Sequence, residues 1–127
     1  MRDGDFIKLG VYEDVPIYNN YYRLYSEDEL YRLFPDQEII SGLNFRKWDY
    51  AILSIDYASC DENTIRPVDY SIDDNLLTVE VDSDNDCSFC VPRHVYYLLQ
   101  LEKHTYFNEV NYEYNLLNNM ECALYYS

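Results

Sequence analysis

The chain is 127 residues long, which suits one domain and leaves no room for a second core of comparable size. Its 9 Lys and Arg face 24 Asp and Glu, a formal net charge of -15. That balance argues against nucleic acid or an anionic membrane surface as a direct partner, because both are held by cationic side chains. The 48% hydrophobic and 17% aromatic content is equally unlike a disordered acidic chain, so the sequence should fold.

From Phe6 to Tyr25, Ile7, Leu9, Val11, Val15 and Ile17 precede a run rich in tyrosine, and the partial alternation predicts one or two strands. Ser26-Glu27-Asp28-Glu29 then carries the signature of a helix start. Ser26 can accept from a free backbone N–H, Glu29 sits three positions on, and the acids suit the positive end of the helix dipole. Leu30, Leu33 and Phe34 supply an apolar stripe and Pro35 stops it, which predicts one short helix near residues 26–34.

Strands are expected over Tyr50–Tyr57, apolar enough to be central, and over Leu77–Asp82, which alternates after the turn signal Asp73-Asp74-Asn75. Val95–Leu101 is long enough for a helix, but its start after Pro92 and its Val and Tyr content favour a strand. Asn108–Leu117 alternates again, and Cys122–Tyr126 is a candidate edge strand. The predicted fold is mostly β, a β-sandwich or partly open barrel with one short helix, as a single domain over 1–127.

The order of these elements resembles the small β domains of Bacteroidetes-type extracytoplasmic lipoproteins, and more distantly the PrcB-type protease-complex-associated domain. The likeness runs over roughly residues 17 to 115, from the helix start through Leu43-Asn44-Phe45-Arg46-Lys47-Trp48 into the strand at Tyr50. Asn44-Phe45-Arg46-Lys47 matches a "DFSK"-like motif, with Asn44 in the place of Asp and Arg46 in the place of Ser. The resemblance implies a non-enzymatic binding or assembly domain outside the cytoplasm and carries over no functional residues. The segment Met1 to Phe6 has no apolar run behind a basic stretch, so it does not read as an export leader, and no run is long enough to span a bilayer.

Cys60, Cys87, Cys90 and Cys122 are disulfide candidates, with three possible pairings and an oxidising compartment implied; buried thiols in a cytoplasmic protein are the alternative. Cys87 and Cys90 with His94 would give three zinc ligands of the four required, a weaker reading than a structural staple. A redox role is disfavoured because the acidic run Asp82 to Asp86 opposes thiolate formation. The same run opens like a calcium loop, but Cys87 stands where the turn needs Gly and Arg93 where a bidentate Glu belongs. No metal and no cofactor is therefore expected.

Between Asp56 and Asp86 ten acids face the single base Arg66. On an extended chain Glu80, Asp82, Asp84 and Asp86 would project on one side about 6.6 Å apart, joined by Asp73 and Asp74 at the turn. Such a row suits a basic partner; keeping a tyrosine-rich surface soluble is the plainer use. Among 16 tyrosines, Tyr18, Tyr21, Tyr22, Tyr112 and Tyr114 are candidate contact residues, with cross-strand pairing as the alternative. No nucleophile elbow, phosphate loop or metalloprotease motif appears, and His94 and His104 lie at opposite ends of one predicted strand, so no enzyme is expected. The favoured function is an extracytoplasmic interaction domain that engages a protein or peptide, basic in character, through an acidic, tyrosine-rich face. The alternative is a cytoplasmic acidic inhibitor that imitates nucleic acid before a basic nucleic-acid-binding protein.

Overall fold

A computed structural model describes residues 2–57, 60–84 and 91–117. It is mostly strand, in two sheets with one short helix, and forms no closed barrel. Strands β1 (Phe6–Val11), β2 (Tyr21–Leu24), β3 (Trp48–Tyr57), β4 (Ile65–Asp73), β5 (Leu76–Ser83), β6 (Arg93–Glu102) and β7 (Glu109–Leu116) are accompanied by helix α1 (Glu27–Leu33) and a 3-10 turn at Glu62–Thr64. The candidate edge strand Cys122–Tyr126 lies outside the described residues. Within its single-domain length the chain divides into two compact units, Met1–Ile55 with Tyr96–Tyr106 and Asp56–Val95 with Phe107–Ser127.

The four-stranded sheet has the order β1-β6-β3-β2. Its two inner strands are the two most continuously apolar segments of the sequence, Tyr50–Ile55 and Val95–Leu101, and both are buried at successive positions, as strands covered on both faces must be. In the first unit, Leu9, Leu24, Leu30, Phe34, Tyr50, Ile52, Tyr96 and Leu98 form one core cluster. Phe34 is fully buried and meets Tyr12 and Tyr96 edge-on, with ring centroids 5.2 and 5.3 Å apart, an arrangement favoured by the ring quadrupoles.

Helix α1 forms where its cap predicts. The Ser26 hydroxyl accepts from the Glu29 N–H at 3.2 Å. Glu29 answers by accepting from the Tyr25 N–H at 3.0 Å and the Tyr22 hydroxyl at 2.9 Å, so its carboxylate ties the helix start to β2. Phe34 ends the helix, its N–H donating to the Leu30 carbonyl, and Pro35 prevents continuation. The Asn44-Phe45-Arg46-Lys47 motif forms the turn into β3. Asn44 accepts from the N–H groups of Lys47 and Trp48 through its carbonyl and of Arg46 through its side chain, while Phe45 packs against the Tyr50 ring at 4.6 Å.

In the second unit the sheet order is β4-β5-β7. The β4–β5 hairpin turns on Asp74 and Asn75, both with positive φ (51° and 66°), as a two-residue type I′ turn requires. Asp and Asn tolerate that region because their short polar side chains bond locally. The third strand does not follow as a meander. β7 pairs with β5 in parallel, in unbroken register from Leu76 opposite Glu109 to Ser83 opposite Leu116, and parallel pairing needs a long crossover, here the chain through β6. The N–H groups of Asn108 and Leu117 donate to the carbonyls of Asn75 and Ser83 and close the two ends of the pair.

Candidate binding surface

Strand periodicity decides what this three-stranded sheet presents. Side chains opposite one another in register share a face, and neighbours along a strand alternate between faces. One face carries Leu77, Val79 and Val81 of β5, all fully buried, beside Tyr70 and Ile72 of β4 and Val110, Tyr112 and Tyr114 of β7. The other face carries Arg66, Asp69, Ser71 and Asp73, then Leu76, Thr78, Glu80 and Asp82, then Glu109, Asn111, Glu113 and Asn115. Six carboxylates, Asp69, Asp73, Glu80, Asp82, Glu109 and Glu113, therefore share a face with one cation, Arg66.

Their arrangement is two-dimensional. Asp69, Glu80 and Glu113 stand directly across three adjacent strands, about 4.8 Å from strand to strand. Along β5, Glu80 and Asp82 are about 6.6 Å apart. Like charges placed opposite each other destabilise a sheet, so this row costs the fold something. Toward the hairpin the face becomes a concave stretch of about 790 Å3, lined by Ser71, Asp73, Asp74, Thr78, Glu109 and Glu113 among others.

Of the acids predicted as one row, Glu80 and Asp82 fall on this face, Asp73 ends β4 on the same face, and Asp74 sits in the turn. Asp84 lies one residue beyond the end of β5, where its N–H donates to the Thr64 carbonyl. Asp86 lies outside the described residues. Asp69, Glu109 and Glu113 complete the face, and sequence reasoning did not single them out. The alternation Glu109-Val110-Asn111-Tyr112-Glu113-Tyr114 held the signal for a two-faced strand, but its parallel pairing with β5 had none.

The candidate contact tyrosines stand apart from the carboxylates. Tyr112 and Tyr114 share β7 with Glu109 and Glu113 but stand in register with Val79 and Val81, so they project from the opposite face. The Tyr114 hydroxyl reaches the Asp56 carbonyl at 3.5 Å; burial, then the Asp56 charge, raises its pKa above the usual tyrosine range. Tyr18, Tyr21 and Tyr22 belong to the first unit. Tyr18 is 95% exposed ahead of β2, whereas Tyr22 is engaged with Glu29, whose hydrogen bond is the chief cause of its raised pKa.

Cys60 is not a free thiol. Cys87, Cys90 and Cys122 lie outside the described residues, and no disulfide joins two described residues. His94, the third candidate zinc ligand, stands at the start of β6 with its Nδ1 2.5 Å from an Asp56 carboxylate oxygen. Among the described residues no group of three or more His, Cys, Asp or Glu is placed to hold a metal ion. Comparisons with protein-family models, with curated proteins and with solved structures gave no match. No described helix is long and apolar enough to cross a membrane.

Chemically, the polar face offers carboxylate hydrogen-bond acceptors, with hydroxyls and amides between them. A surface of this charge attracts cations at long range, and electrostatic complementarity in general governs association rate and partner choice more than raw affinity.

Proposed function

We propose that this protein is a non-enzymatic binding domain that engages a basic protein or peptide through the polar face of the β4-β5-β7 sheet. The observation that carries the reading is the set of six carboxylates sharing that face with the single cation Arg66. The like-charge row Asp69–Glu80–Glu113 supports it, because a surface needed only for solubility gains nothing by aligning acids directly opposite one another. The tyrosines of β7 lie on the opposite face of the sheet and are not part of this contact. An extracytoplasmic setting and a disulfide at Cys60 are part of the same proposal, supported by Cys60 not being a free thiol.

A titration with a fluorescent oligolysine peptide tests the reading. Binding should be strong at low ionic strength and fall steeply between low and moderate salt, where the Debye length contracts to about 10 Å and below. Binding indifferent to salt would contradict it. The two-dimensional spacing of carboxylates also suits a second reading, imitation of nucleic acid before a basic nucleic-acid-binding protein. A DNA-binding protein displaced from its duplex by this chain, and not by an unrelated protein of equal net charge, would select that reading.

A further inference from the structure

We draw no further inference here: the strongest candidate, the concave stretch of the three-stranded sheet lined by Ser71, Asp73, Asp74, Glu109 and Glu113, belongs to the acidic face already described, and nothing among the described residues beyond the carboxylates themselves points to a particular ligand.

Discussion

In the four-stranded sheet, β3 is buried at six successive positions from Tyr50 to Ile55, whereas β5 of the three-stranded sheet is buried only at Leu77, Val79 and Val81. The first pattern uses both faces of a strand for packing. The second uses one face and leaves the other to solvent, where the acids gather. Polar groups inside the first unit are few and hydrogen-bonded in sequence: the Asn44 N–H donates to the Tyr50 hydroxyl at 3.0 Å, and that hydroxyl donates to the buried Gln100 Oε1 at 2.8 Å. Its ion pairs are similarly local, Arg23 and Lys103 both reaching Asp49, at 2.7 and 3.3 Å. On the polar face of the second sheet charges of one sign are left side by side. The lesson is that packing and like charge are gathered on different strand faces here.

The largest effect should come from the core of the first unit. Phe34→Ala removes a fully buried ring with two edge-on aromatic partners and should cost about 3–5 kcal/mol in denaturant unfolding. Trp48, the only tryptophan, is a fluorescence reporter within that unit. A cost below about 1 kcal/mol, far under the usual range for such a truncation, would mean the core does not depend on this ring.

Next is the buried polar thread. Tyr50→Phe keeps the ring but leaves the Gln100 amide, 1% exposed and already without a partner at Nε2, with no partner at Oε1 either. Stability should fall by about 1–3 kcal/mol, and Gln100→Leu in the same background should restore part of it, since an apolar pair replaces an orphaned acceptor.

Alkaline pH probes the same contrast. Burial raises the pKa of Tyr50 and Tyr57, burial with the Asp36 charge raises that of Tyr12, and the Glu29 hydrogen bond raises that of Tyr22. The folded chain thus holds these protons more tightly than the unfolded chain, where tyrosine titrates near 10. Their contribution to stability is fully present below that pH and is lost as pH rises through the raised folded values. Tyrosinate absorbance should show this group ionising above the unfolded-chain value near 10, with structure lost as it does; all tyrosines ionising together near pH 10 with circular dichroism unchanged would be the contrary result.

The smallest stability effect belongs to the acidic row. Glu80→Gln relieves repulsion from Asp69 and Glu113 and should stabilise the protein by about 0.2–1 kcal/mol while weakening oligolysine binding. Loss of stability instead would show that Glu80 serves the fold.

Much of this architecture was legible because its signals are local. Ser26, Glu29 and Pro35 bound the helix, Asp74 and Asn75 mark the turn, and Leu77, Val79 and Val81 give β5 its period. Strand β4 was harder: Pro67 interrupts its pattern and the register shifts between Pro67 and Asp69, so its alternation reads cleanly only after the bulge. The acidic face was half legible. Glu80 and Asp82 are visible from β5 alone, but Glu113 joins them only through the parallel register with β7, a non-local pairing that no window of sequence encodes. The alternation of β7 puts Tyr112 and Tyr114 on the face opposite Glu109 and Glu113.

The central claim is position, not total charge. Oligolysine affinity at low salt should therefore be compared between two variants of equal charge, Asp69→Asn with Glu80→Gln and Glu113→Gln on the polar face, and Glu13→Gln with Glu38→Gln and Glu102→Gln in the first unit, all exposed. The account predicts that the first set loses most of the binding and its salt dependence while the second retains both. Equal losses from the two sets would contradict it.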